Sequence, residues 1–141
     1  MTLGFFEEFQ DPYLHSPEGQ GVFLAGVCLG QLAFRQVQGN AKIEDSPLFK
    51  RINFGKMTMR DLQRHLSRVP ELTRAYRVGN AATLEMIMTK AGALILQAGS
   101  KEMGVKGNFA FTIAFMNSFE YIKKMFKDAN DDKEEKDVQE S

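Results

Sequence analysis

Between Gly21 and Phe34 the chain reads GVFLAGVCLGQLAF, a run whose only interior polar side chain is Gln31. A segment apolar on every side has no face to give to water. It predicts a helix at the centre of the fold, with the other elements laid around it. The run is too short to cross a membrane, which takes about 20 predominantly apolar residues. Gly26 and Gly30 stand four apart within it, and this spacing predicts close helix packing in a soluble bundle rather than a membrane dimer. Cys28 lies in the same run and is the chain's one cysteine. That excludes an internal disulfide and a multi-cysteine metal site, so the residue reads as a small buried hydrophobe.

Around this centre the chain divides into helical pieces. Residues 1–16 read as an irregular lead-in whose Phe5, Phe6 and Phe9 form an apolar cluster that docks against something. Ser16 and Pro17 then suit a helix start, serine as cap and proline in the first turn. Gln38 to Ser46 is a polar loop, and Ser46 with Pro47 restarts a short turn carrying Leu48, Phe49 and Ile52, broken at Gly55. Leu84, Ile87, Met88, Ala91, Ile95 and Ala98 form a helical stripe between Gly79–Asn80 and Gly99. The last helix starts after Asn108, with Phe111, Phe115, Phe119, Ile122 and Phe126 on one face. Phe109, Ile113 and Met116 make its other face apolar, which predicts that its first half is sandwiched. Beyond Lys127 the sequence DANDDKEEKDVQES has one aliphatic side chain larger than alanine and predicts disorder. The fold class expected is all-α: a compact bundle of four or five helices over 17–127, with a disordered acidic tail at 128–141. At 141 residues one domain of this kind can bury roughly two thirds of its unfolded surface.

The formal charge of zero conceals three blocks. Met1–Asp45 carries −4, Ser46–Lys127 carries +9 and Asp128–Ser141 carries −5. The basic block is densest from Lys50 to Arg77, where eight basic residues stand against Asp61 and Glu71. Over Asn53–Val78 the helical period sets Arg60, Arg64, Arg68 and Arg74 along one side. Leu62, Leu66, Val69, Thr73 and Tyr76 fall on the other. Thr58 is placed to cap this helix, with Asp61 at its third position in a capping-box arrangement. Pro70 would cost about 3 kcal/mol inside a helix, so a kink or two abutting helices is expected near Val69. From Arg60 to Arg68 a helix rises roughly 12 Å, and a duplex strand advances about 3.4 Å per nucleotide, so three arginines match about three phosphates. The competing reading is a solvated face, or one that pairs with acidic protein surface. The aromatic residues sit mainly on core stripes, which favours backbone contact over base stacking or sequence readout.

Catalysis finds little support. His15 and His65 lie fifty residues apart and both read as structural. No phosphate-binding loop, zinc-binding HExxH motif, apolar carboxylate pair or nucleophile beside a base is present. The expectation is a protein that is not an enzyme and needs no cofactor or metal. The N-terminus MTLGFFEEFQ has no basic region before an apolar run, which argues for the cytoplasm.

Three segments in order, GVFLAGVCLGQLAFRQ, SPLFKRINFGKMTMRDLQRH and NFAFTIAFMNSFEYIKK, resemble the carboxyl-terminal helical domain of the large subunit of type I-B CRISPR interference (Cascade) complexes. That domain is also made separately as the small subunit. The similarity runs from about Gly21 to Lys124. It implies a non-catalytic α-helical subunit, present in several copies, lying along the crRNA-bound backbone subunits beside the large subunit. There it stabilises the target and displaced strands of the R-loop in a sequence-independent way, and does not select targets by itself. The family's contacts come from scattered basic residues. The resemblance therefore carries only that residue class, onto Arg60, Arg64, Arg68 and Arg74, with Lys50, Arg51 and Lys56 behind them.

Two other readings remain open. In one the chain is a protein scaffold that binds partners through the Phe5, Phe6 and Phe9 lead-in and the basic face. In the other it is a ligand-sensing bundle with a glycine-lined pocket.

Overall fold

Ser16 begins the first long helix, its hydroxyl accepting a hydrogen bond from the Gly19 amide at 3.1 Å, with Pro17 at the first helical position where no amide is needed. In the computed structural model, which describes residues 3–37 and 41–126, this helix, α1, spans Pro17–Gln36. Every residue from Gly21 to Ala33 is buried. The apolar run is the axis of the fold.

Five further α-helices are α2 (Pro47–Arg51), α3 (Met59–Ser67), α4 (Val69–Ala75), α5 (Ala81–Ala98) and α6 (Gly104–Met116). The chain turns at Asn117 and is helical again over 118–126. Among the described residues there is no strand, only an isolated bridge between Thr58 and Glu102, so the FAFTIAF segment is helical. The expected all-α bundle is the one observed. The expected acidic tail, 128–141, lies outside the described residues.

Glycines on α1 set how close its neighbours come. Along α5, the Cys28 thiol donates to the Leu84 carbonyl and Gly21 faces Ala91 and Ile95, so the two helices run antiparallel. Along α6, Gly26 faces Phe111 and Ala114 while Gly30 faces Phe115, so those two run in the same direction. A Cβ at Gly30 would lie 2.2 Å from the Phe115 carbonyl oxygen. Burial pushes the Cys28 thiol up to about 12, which leaves it an inert core group.

Residues 3–15 form two 3-10 helices, Leu3–Glu8 and Pro12–His15, where the sequence predicts irregular chain. Phe5 and Phe6 are buried in this protein's own core, their rings 6.0 and 5.7 Å from Phe23, which in turn stands 4.8 Å from Tyr121. Burying two phenylalanines contributes about 1.5–3 kcal/mol each. This corrects the scaffold reading: the lead-in phenylalanines are spent internally and are not free for a partner.

The last helix also departs from expectation. It begins at Gly104 rather than after Asn108, because the Asn108 side chain works inside the helix as a clamp on Met57. Its second apolar face is not sandwiched: Val105 is 87% exposed, Phe109 67% and Met116 42%. Phe119, expected on the core stripe, is half exposed and stacks on Phe34 with ring centroids 6.2 Å apart.

Candidate nucleic-acid interface

The basic segment starts from α2. Ser46 caps it through the Phe49 amide at 3.0 Å, and the Gln36 side-chain oxygen accepts from the Leu48 amide at 2.8 Å, which fixes α2 against the end of α1. The chain then turns through Gly55, whose φ of 86° suits glycine. Met57 is held at both backbone groups: its amide donates to Asn108 Oδ1 at 3.0 Å and its carbonyl accepts from Asn108 Nδ2 at 3.2 Å. This clamp sets where α3 begins.

Thr58 and Asp61 form the expected capping box, with reciprocal hydrogen bonds of 3.1 Å. The bonds from Thr58 hold the Asp61 carboxyl below the usual carboxylate range, and the nearby Arg64 and His65 add to this. Met59, Leu62 and Leu66 turn inward. Arg60 and Arg64 are exposed, and Arg68 is half-buried as the C-cap.

Pro70 resolves as two abutting helices. It occupies the first turn of α4, where its missing amide leaves no hydrogen bond unmade. Arg68 caps both helices, its amide donating to the His65 carbonyl at 3.2 Å. The four-arginine stripe is consequently not carried by one helix. Arg74 belongs to α4 and donates from Nε to the Pro70 carbonyl at 3.3 Å. Tyr76, expected on the buried face, lies past the end of α4 and is exposed.

Two adjoining grooves organise the basic side chains. One, of about 270 Å³, is lined by Arg51, Asn53, Met57, Asp61, Arg64 and His65. The other, of about 130 Å³, is lined by Gln36, Pro47, Leu48, Arg51, Arg68, Leu72 and Tyr76. Arg51 borders both. The structure thus brings Arg51, Arg64 and Arg68 together, while Lys50, Lys56, Arg60 and Arg74 are exposed and line neither groove. The sequence reading placed Arg51 behind the stripe and missed His65. The ring of His65 is half-buried, and burial followed by the charges of Arg68, Arg64 and Arg51 pushes its pKa below the ordinary value, against the opposite pull of Asp61.

No carboxylate lies within 4 Å of these arginines among the described residues, where the ion pair formed is Lys124 with Glu8 at 2.8 Å. The cluster therefore keeps its charge for a ligand. Base chemistry has no such preparation here, since the rings of Phe49, Phe54 and Phe115 pack on one another at 4.8 and 5.1 Å. Among the described residues no three His, Cys, Asp or Glu side chains converge to hold a metal, and no helix is long and apolar enough to cross a membrane.

The family model described as CRISPR-associated protein TM1802 C-terminal domain matches residues 2–124. No curated protein and no solved structure matches the chain.

Proposed function

Since this chain belongs to the CRISPR-associated protein TM1802 C-terminal domain family, we propose that it serves as a non-catalytic small subunit of a type I RNA-guided surveillance complex. In this role the basic side of α2–α4 holds the backbone of the target and displaced strands of the R-loop, without reading sequence. The observation that carries the proposal is the convergence of Arg51, Arg64 and Arg68 with no carboxylate within 4 Å among the described residues. Unpaired guanidiniums on a surface suit phosphate oxygens, which accept from their fork of donors. The backbone and large subunits of the complex and further copies of this chain would be its partners, in the cytoplasm.

A specific observation favours a second reading, a scaffold without nucleic-acid contact. The apolar face of α6, with Val105, Phe109 and Met116 exposed, is of the kind that protein partners cover. The two readings separate in a reconstituted effector complex at two salt concentrations, with the chain present, absent, or carrying alanine at Arg51, Arg64 and Arg68. The nucleic-acid reading expects the triple variant to assemble normally yet lose target DNA as the deletion does. The loss should steepen with salt, by about −0.7 in log–log slope for each single-strand phosphate contact. A triple variant that retains DNA like wild type, while deletion still weakens binding, overturns it in favour of the scaffold.

A further inference from the structure

The groove between α2 and α3 differs from a merely basic surface because its donors converge on one small volume from two helices. Arg51 enters from the end of α2, Arg64 and His65 from α3, and the Asn53 side chain adds a neutral polar group from the connecting turn. Its volume of about 270 Å³ admits a phosphate group with the water around it and is too restricted for a stacked pair of nucleotides. Asp61 also lines the groove, but its Oδ2 accepts from the Thr58 amide, so the carboxylate is engaged at the helix start. Among the described residues the His65 ring has no hydrogen-bond partner and no carboxylate within 4 Å.

We propose that this groove seats one phosphodiester of the bound strand, gripped by the Arg51 and Arg64 guanidiniums and completed by the His65 imidazole in its protonated form. The inference rests on the nucleic-acid reading above and assigns one of its contacts to a defined place. The groups facing His65 are Arg51 from α2 and Asp61, Arg64 and Arg68 from α3. In the empty groove three guanidiniums oppose a further positive charge, and together with burial they outweigh Asp61, so the ring is held neutral. A phosphate reverses that balance by placing a negative charge among them. Entry of the phosphate is therefore linked to uptake of a proton. Because the bound form holds more protons, affinity rises as pH falls through the interval between the free and bound titration midpoints of His65. The upper limit is about tenfold per pH unit for one proton.

The test uses the full chain at low salt, with NMR titration of the His65 ring and fluorescence anisotropy. The probes are a thymidine 12-mer and an abasic sugar–phosphate 12-mer, with inorganic phosphate as a separate arm. Both oligomers are expected to raise the His65 midpoint equally, since the seat holds backbone and not base. Affinity should gain about three- to tenfold from pH 7.5 to 6.0. H65Q is expected to remove that gain while keeping affinity at pH 7.5 within about twofold, and R51A to weaken binding at both pH values. Binding that leaves the His65 midpoint unmoved overturns the seat and leaves the wider basic face standing. Inorganic phosphate shifting His65 as strongly as the oligomers at equal concentration overturns the assignment to a strand. Absence of oligomer binding overturns the seat, while the effector-complex experiment judges the nucleic-acid reading independently.

Discussion

Asn108 joins two segments 51 residues apart, and it does so with both halves of its amide. Its oxygen takes the Met57 amide proton, and its nitrogen donates to the carbonyls of Met57 and of Gly104 at 3.2 and 2.9 Å. The side chain is buried, so water cannot replace these bonds. Leaving a buried backbone group unpaired costs about 1–3 kcal/mol, and N108A strands both groups of Met57. The expected loss is about 2–4 kcal/mol, measurable by urea denaturation, and a loss under 1 kcal/mol would contradict the clamp. Because Met57 directly precedes the Thr58 cap, the same variant should also weaken amide-exchange protection at the start of α3. His65 teaches a related lesson about single residues. In the sequence it is a histidine at the edge of an apolar stripe, and nothing nearby in the chain announces that Arg51 will stand beside it. Arg51 arrives there only because Gln36 fixes the start of α2 against α1. That is a tertiary contact, invisible to a periodicity argument.

At the scale of elements, the central helix is where sequence and fold agree most closely, and the agreement has a steric cause. Gly26 and Gly30 are legible as a close-packing pair because only a missing side chain lets α6 approach. A Cβ at Gly26 would meet the Phe111 carbonyl oxygen at 2.7 Å, and one at Gly30 would meet that of Phe115 at 2.2 Å. G30A must push two helices apart and is expected to cost about 3 kcal/mol or more, in the range of overpacked cores. Gly92 is the control. A Cβ there meets nothing within 4 Å, and the residue lies inside α5. G92A should therefore stabilise the protein by up to about 1 kcal/mol through helix propensity and lost unfolded-state freedom. Thermal denaturation of the two variants reads both signs, and equal effects would refute the packing account. Caps and breakers were similarly legible: Ser16, Ser46, Thr58 and Gly99 act locally, and so does Pro70. The second face of α6 was not. Phe109, Ile113 and Met116 are as apolar as any core stripe, and composition alone cannot say whether the chain's own elements or solvent will lie over them.

At the scale of the molecule, the zero net charge is a cancellation between blocks, and the blocks have different consequences for a polyanion. Removing residues 128–141, which carry −5, takes the chain from zero to +5 without touching the cluster of Arg51, Arg64 and Arg68. No position for the tail is needed to argue the direction: any negative charge on the same molecule lowers the potential that a strand feels on approach. The distance over which it acts is set by salt. At 0.01 M the Debye length is about 30 Å, comparable with the size of such a domain, whereas at 0.15 M it is about 8 Å. If the basic side of α2–α4 binds the nucleic-acid backbone, truncation after Lys127 should strengthen single-strand binding several-fold at low salt. Most of that gain should disappear at physiological ionic strength. Anisotropy titrations of both forms across that salt range measure it. A gain that survives unchanged at 0.15 M would mean that the acidic residues come within about one Debye length of the arginine cluster and compete with the strand for it. No gain at either salt would mean that the basic face does not meet a polyanion at all, and would remove the electrostatic ground on which the nucleic-acid reading stands.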